Sequence, residues 1–380
     1  MDRERAVTEL ADDLADLAQR SLESNPFYEP KMLLPALRLL DTEQPLTIIC
    51  VREGSRLLGL FVMQYGHVRK GIPIPVLRSW SHRYCFLSSS LLDGQRGESA
   101  LAALANWVES GRAPAAVLEF PQIRHDGPFA RMLREVVQTR DGWVSDVVIT
   151  QRALLSRANL GEATISGRHA KELRRLERRL AERGTLSFEE LPADGDVGAW
   201  MDEFVALEAS GWKGRQGTAI GQRAADRAFF ADFAAAAHAD RRLQCLALRL
   251  NGAAIAMKLN VFARDQGFAL KIAHAEEFAK FSPGVLLERF NQRCFAQTAS
   301  AYTCIDSCAA EGHPMIERLW PDRRQIADVT LAGRSLAARA FIALCARRHS
   351  ARNGVAVLSA IGAGVLIALL NGAERLLVRT

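Results

Sequence analysis

Three stretches in the second half of the chain carry residues whose types and order could perform chemistry. The first runs from His274 into Ser282-Pro283-Gly284-Val285-Leu286-Leu287. Ser282 suits an N-cap, Pro283 suits the first helical position, and Gly284 lets a ligand approach the backbone. Amides at such a helix start attract anions such as a pyrophosphate. The same residues also make a well-capped helix with no ligand, so both readings stand. Leu287, Phe290, Cys294 and Phe295 at i, i+3, i+7 and i+8 supply the buried face of that helix. The second stretch is Gly211-Trp212-Lys213-Gly214-Arg215-Gln216-Gly217-Thr218. It follows a helical segment with Val197, Trp200, Phe204 and Leu207 on its apolar face, and Gly211 is placed to end that helix. An indole with Lys213 and Arg215 among glycines makes a flexible cationic loop, the kind that binds ligands more often than it packs. The third is Asp306, closing an apolar strand at 302–306. It could accept a proton or orient a nucleophile, or equally cap a helix or close a salt bridge. His274, Glu276 and His313 rank behind it because they lie on loops.

Together these stretches can serve the transfer of an acyl group from a thioester to an amine or hydroxyl. That reaction needs a grip on the donor's pyrophosphate, a hydrogen bond to the thioester oxygen, a path for the proton and a pocket for the acceptor. Ser282, Pro283, Gly284, Val285 and Leu286 are the candidates for the grip, and acetyl-CoA or another acyl-CoA is the implied donor. A backbone amide near Lys271 to Ala273 would polarise the carbonyl, which makes Lys271 and Asp306 the catalytic candidates. Trp212, Lys213, Arg215, Gly217 and Thr218 are the candidates for holding the acceptor. No metal or covalent intermediate is required.

These groups need a scaffold, and the order of parts suggests one that occurs twice. A strand at 46–52 turns at Glu53-Gly54 into an apolar run at 57–65. A strand at 243–250 turns at Asn251-Gly252, a strong hairpin signal, into another run at 253–262. After each hairpin come a further strand, a helical segment, a short strand (116–120 or 302–306) and a helix restart at His125-Asp126-Gly127-Pro128 or Gly312-His313-Pro314. Glu119 and Asp306 hold similar places, so we read a divergent duplication in an α/β (α+β) fold of two mixed-sheet domains flanked by helices. The expected boundaries are 1–155, 156–340 and an apolar helical tail at 341–380, with a hinge near 151–167. The first domain lacks an equivalent of the 282–287 stretch, so it is expected to be structural or to supply one wall of the acceptor cleft. Just past the hinge, Arg168, Lys171, Arg174, Arg175, Arg178, Arg179 and Arg183 share a helix with Leu173, Leu176 and Leu180. That face is either simply solvated or docks RNA phosphate or lipid headgroups.

Composition agrees with a soluble two-domain protein: 380 residues, 49% hydrophobic and 24% charged, are ordinary globular values. The seven cysteines are odd in number and scattered, which suits free thiols in a reducing compartment. Cys304 and Cys308 have no second pair at zinc spacing, so no metal site is expected. No secretory leader is read at the N-terminus, and a cytoplasmic location is expected. A net charge of +6 admits anionic partners. Residues 354–373 carry no charge, and their apolar part, 354–370, would span roughly 25 Å as a helix, short of a ~30 Å hydrocarbon core. A buried helix is expected there; peripheral association or anchoring in the inner membrane is the alternative.

The same residues resemble a known family. FVALEASGWKGRQGT (Phe204 to Thr218), Lys271 to Leu287 with its SPGVLL ending, and IDSCAAEGHPMIERLWPDRR (Ile305 to Arg324) are similar to the GNAT-like acetyltransferase domain of proteins linked to bacterial cellulose biosynthesis, the CelD/BcsL-like family. That family is related to the FemAB peptidoglycan aminoacyltransferases. The LRRLERRL run and Ser166 look like its entry segment; Asn25-Pro26-Phe27 and Phe129 carry a weaker likeness in the first half. The resemblance implies tandem GNAT (general N-acetyltransferase) domains and transfer from acyl-CoA to an amine or hydroxyl on a small molecule or saccharide, in polysaccharide or envelope synthesis. FemAB relatives use aminoacyl-tRNA instead, and nucleic acid ranks behind acyl-CoA as the partner here; a non-catalytic, membrane-tethered component of a polysaccharide assembly is the remaining alternative.

Overall fold

The computed structural model describes residues 2–67, 73–140, 142–160, 167–297, 301–332 and 338–344. The apolar tail at 354–370 lies outside the described residues. So do Ser166 and most of the stretch between the last strand of the first half and the basic helix.

Twelve strands form one mixed sheet: β1 (Leu46–Glu53), β2 (Arg56–Gly66), β3 (Val76–Ser79), β4 (Leu91–Leu92), β5 (Val117–Arg124), β6 (Trp143–Ser156), β7 (Leu186–Glu190), β8 (Leu243–Leu250), β9 (Ala253–Ala263), β10 (Gln266–His274), β11 (Cys304–Asp306) and β12 (Asp322–Ala332). Each half opens on an antiparallel hairpin, β1-β2 and β8-β9, whose register shifts next to the turn. At the second turn Asn251 and Gly252 take φ of 52° and 82°, the primed-turn geometry their types favour. Each half then adds a strand and a short parallel ladder. Val76, Leu77 and Arg78 pair with Val117, Leu118 and Glu119; Gln266, Gly267 and Phe268 pair with Cys304, Ile305 and Asp306. Glu119 and Asp306 therefore occupy equivalent third positions.

The halves are joined by exchange of their last strands. The order along the sheet is β1-β2-β3-β5-β12-β6-β11-β10-β9-β8-β7, with β4 paired to β2. The first half's β6 lies against the second half's β11, and β12 lies against β5. This corrects the hinge expected at 151–167. Residues 151–156 continue β6, where Arg152 faces Arg324 of β12 and Leu154 faces Asp306 of β11. Their polar composition reads as a linker because the partners that bury them are distant in sequence.

Period-two alternation gives the sheet two apolar faces. Leu60, Val62, Cys245, Ala247 and Met257 pack with the helices Ala11–Gln19, Pro30–Leu39, Val197–Ser210 and Ala224–Ala239. Phe61 and Met63 pack on the opposite face with Gly97–Glu109 and Pro128–Gln138, while Leu246 and Leu248 pack there with Gly167–Ala181 and Pro283–Gln297. Among the described residues no helix is long and apolar enough to cross a membrane. The described cysteines are free thiols, and no cluster of three or more His, Cys, Asp or Glu could hold a metal ion among those residues.

Candidate functional site

The second half opens where two strands part. β10 and β11 pair over only three residues, ending at Phe268 and Asp306, and β10 then runs on to His274 with β9 as its neighbour. A register shift between Ala269 and Lys271 interrupts that pairing. In an antiparallel strand alternate amides point away from the partner, so beyond Phe268 they face the opening.

The helix Pro283–Gln297 starts beside this opening. A short 3-10 turn, Glu276–Phe281, leads into Ser282, which takes left-handed φ 54° and ψ 51°. Non-glycine residues rarely hold that conformation without compensation from their surroundings. The Val285 and Leu286 amides bond back to the Ser282 carbonyl at 3.0 and 3.1 Å. Pro283, Gly284 and Leu286 are buried, while Ser282 and Val285 are half-buried. A Cβ on Gly284 would sit 3.5 Å from the Met315 sulfur and 3.9 Å from His274 Nδ1, so His274 and Met315 flank the helix start. The helix is pinned from below: Glu288 accepts from Asn291 Nδ2 at 2.6 Å and Trp320 Nε1 at 3.0 Å, and pairs with Lys258 at 2.9 Å. Fully buried, these groups fix the position of the helix.

The 211–218 loop lies over the other face of β10. Gly211 ends the helix Val197–Ser210, and Trp212–Arg215 form a single short turn. A Cβ on Gly214 would come within 1.8 Å of the Ala209 carbonyl oxygen, so only glycine allows the loop to fold back so closely. Thr218 closes the loop, donating from its amide to the Lys213 carbonyl at 2.9 Å, with Gly217 at the bend before it. Trp212 stands 49% exposed at the rim. Arg215 binds both carboxylate oxygens of Glu276 at 3.0 and 2.9 Å.

Lys213 and Lys271 meet on Glu208. Its Oε1 accepts from Lys213 Nζ at 2.8 Å and lies 3.5 Å from Lys271 Nζ, while Oε2 accepts from the Ile220 amide at 2.8 Å. Burial pushes the Glu208 acid up, but Lys271 and Lys213 together with the Ile220 amide outweigh it and hold the carboxyl below its ordinary value. For Lys271 burial acts first and lowers the pKa; Glu208 opposes this and the charge of Lys213 adds to it. His274 is also lowered, chiefly by burial. Glu208 was not singled out by sequence reasoning. The available signal was a carboxylate four residues after Phe204 on an otherwise apolar stripe.

Asp306 takes the salt-bridge alternative of its sequence reading. It is completely buried, with Arg324 Nη1 at 2.9 Å, Arg152 Nη1 at 4.0 Å and the Cys308 amide at 2.8 Å. Burial raises its pKa, yet the two guanidinium groups hold it below the ordinary carboxylate value. A carboxylate so held is a poor proton acceptor, and none of these partners belongs to the 211–218 loop. Arg324 lies on β12 and Arg152 on β6, so Asp306 ties β11 to both exchanged strands. His313 lies ahead of the short helix Ile316–Leu319, its Nδ1 accepting from the Ile316 amide at 3.5 Å.

Comparison with known proteins supplies the fold's relatives. Residues 167–321 match the family model described as Acetyltransferase (GNAT) domain. No curated protein matches the chain in sequence. Among solved structures, the C-terminal domain (DUF2156) of a putative lysylphosphatidylglycerol synthetase from Agrobacterium fabrum superposes with TM-score 0.53 at 14% identity, covering 89% of this chain and 96% of that one. FemX superposes at 0.51 with 12% identity over 80% and 88%, and L-PGS from Bacillus licheniformis at 0.50 with 13% over 88% and 96%. At such identities the likeness establishes the fold. The second half matches the GNAT domain, and the chain is a mixed α/β fold whose two halves repeat the same hairpin and parallel ladder within one sheet.

Proposed function

We propose that the second half transfers an acyl group from acyl-CoA, with acetyl-CoA the simplest donor, to an amine or hydroxyl of a small-molecule or saccharide acceptor. The observation that carries this reading is the opening between β10 and β11 beside the start of the helix Pro283–Gln297. Among the described residues no carboxylate side chain accepts from the Gly284 amide, and the Val285 and Leu286 amides bond to the Ser282 carbonyl, so an external anion would meet the Gly284 amide and the positive end of the helix dipole. In this reading Ser282 to Leu286 hold the pyrophosphate. An amide of the Lys271–Ala273 stretch polarises the thioester carbonyl.

Lys271 takes the role of proton acceptor in place of Asp306. Its amine lies on the acceptor-loop side of β10, and burial together with Lys213 favours the neutral form a base requires. The acceptor nitrogen or oxygen attacks the carbonyl carbon and gives its proton to Lys271 Nζ. The carbon–sulfur bond breaks, and the departing thiolate recovers a proton. Trp212, Lys213, Arg215, Gly217 and Thr218 line the acceptor's approach, with the exposed indole as a platform for a sugar ring. The likeness of the 204–218, 271–287 and 305–324 segments to the cellulose-biosynthesis family favours a saccharide or envelope precursor in this role.

A second donor, aminoacyl-tRNA, is favoured by one feature. Lys171, Arg174, Arg175 and Arg178 line a surface groove on the helix Gly167–Ala181 together with Glu172, which pairs with Arg175 at 2.6 Å. Thermal unfolding with acetyl-CoA, longer acyl-CoAs and charged tRNA separates the donors. Acyl-CoA at ~100 times its dissociation constant should stabilise the fold by ~2.7 kcal/mol. The shift should vanish in Gly284→Glu, whose side chain would run into Met315 and His274. No shift with any acyl-CoA, beside salt-sensitive stabilisation by tRNA, would replace the first donor by the second.

A further inference from the structure

The Lys271 side chain is held from the first half of the chain. Its ammonium lies 5.0 Å from the centre of the Tyr84 ring and 5.9 Å from that of Phe230. Phe230 belongs to the helix Ala224–Ala239 of the second half, but Tyr84 sits on the connection that follows β3. Lysine has four rotatable bonds and ordinarily extends its charge toward water. Here two aromatic faces and Glu208 hold the amine beside the parting of β10 and β11.

Tyr84 is itself fixed with unusual completeness. It is 6% exposed, stacks on Phe229 at 5.6 Å with a 7° interplanar angle, and meets Phe230 edge-on at 4.7 Å. Its hydroxyl donates to Asp226 Oδ2 at 2.7 Å. Asp226, also buried, accepts from Arg83 at 3.0 and 3.3 Å, and Arg83 reaches back to Asp41. A phenol needed only to fill space would not require a carboxylate from the other half to set its ring. The ring's placement against Lys271 is the feature this network determines.

We propose that Tyr84 is a positioning residue for Lys271, so that the acyl-transfer site of the second half is completed by the first. The inference rests on the reading of Lys271 as proton acceptor. A ring face favours the charged amine, so Tyr84 limits how far the proton affinity falls while holding Nζ in place. The charged and titratable groups around Lys271 are Glu208 and Lys213 on the 197–213 segment, Asp226 on the helix below, Arg83 beside Tyr84, and His274 on β10 itself.

The test follows the Lys271 Cε resonance in lysine-labelled protein, assigned through Lys271→Met, across a pH titration of the wild type, Tyr84→Phe and Tyr84→Leu. Tyr84→Phe keeps the ring and should titrate with the wild type. Tyr84→Leu removes it, and Lys271 should then titrate at lower pH. With acetyl-CoA as donor, kcat should fall roughly ten- to a hundredfold while the KM for acetyl-CoA stays unchanged. Tyr84→Met is the replacement should the leucine variant not fold. Coincident titration curves for wild type and the ring-less variant would overturn the proposal, because a space-filling role leaves the lysine's proton affinity alone. Failure of acetyl-CoA to stabilise any of these proteins would instead overturn the acyl-CoA reading and leave the titration result standing.

Discussion

The helices Gly97–Glu109 and Pro283–Gln297 occupy equivalent places in the two halves, and they begin differently. At the first, the Asp93 carboxylate accepts from the Gln95 and Arg96 amides at 2.8 and 3.0 Å and is bound by Arg20 and Arg56. Burial pushes its pKa up, but those amides and arginines hold it below the ordinary value. The protein's own anion thus sits on the turn just ahead of that helix, which starts at Gly97 with no side-chain cap. The neighbouring opening is filled as well: the Ser88 amide reaches the Gln122 carbonyl at 3.3 Å, and the Ser79 hydroxyl donates to the Ser88 carbonyl at 2.7 Å. One connection does all of this. Residues 80–96 link β3 to its helix, about twice the length of the 275–282 connection in the second half. Along that length they place Tyr84 under Lys271, Ser88 in the wedge and Asp93 at the helix start. A longer connection thus fills the opening of its own half and carries Tyr84 across to the other.

The largest effect expected from this contrast falls on the open half. Lys271→Met should lower kcat roughly 10²- to 10⁴-fold, the range for losing a general base, while stabilisation by acetyl-CoA persists. A loss of that stabilisation instead would make Lys271 a donor-binding residue. Next comes acid sensitivity of the filled half. His82, on the same long connection, accepts from the Tyr84 amide through Nδ1 at 3.3 Å. Burial lowers its pKa to about 3, well under the ordinary 6.5. Because the unfolded chain binds the proton more readily, this histidine's contribution is full above pH 6.5 and is lost as pH falls toward 3. It amounts to on the order of 4 kcal/mol. Urea unfolding across that window should show a slope that His82→Gln flattens; identical slopes would mean the imidazole is not kept neutral by folding. The smallest effect belongs to the plug. Asp93→Ala should cost about 1–2 kcal/mol, since it strips the Gln95 and Arg96 amides of their acceptor while Arg20 and Arg56 remain partly solvated. Calorimetry should find no second acetyl-CoA site in this variant, because Ser88 still fills the wedge. A second site would show that Asp93 alone closes the first half.

Much of the scaffold was legible locally. The β8-β9 hairpin lies where Asn251-Gly252 put it, the helix starts at Pro283 directly after Ser282, and the equivalence of Glu119 and Asp306 survives in the register. These features depend on backbone preferences of a few adjacent residues. The strand exchange did not show, because β6 and β12 are strands in either arrangement and no local pattern says which neighbour each takes. Which of its two readings Asp306 takes was hidden for the same reason: a carboxylate at a strand end looks available until Arg152 and Arg324 arrive from distant segments. Tyr84, Asp226 and Glu208 went unread because each acquires its role only from a partner in another element. Glu208 alone left a trace, as a charge on an apolar stripe.

The exchange of β6 and β12 also bears on how the chain is made. β5 is synthesised early, yet its outer neighbour β12 emerges some two hundred residues later. Until then a nascent first half presents an unpaired sheet edge, and β6 waits equally for β11. Neither half can finish alone, so the two become committed to one another late and together, as a chain of high contact order that folds slowly. Cleavage between the halves would consequently leave two fragments that still hold each other's closing strand.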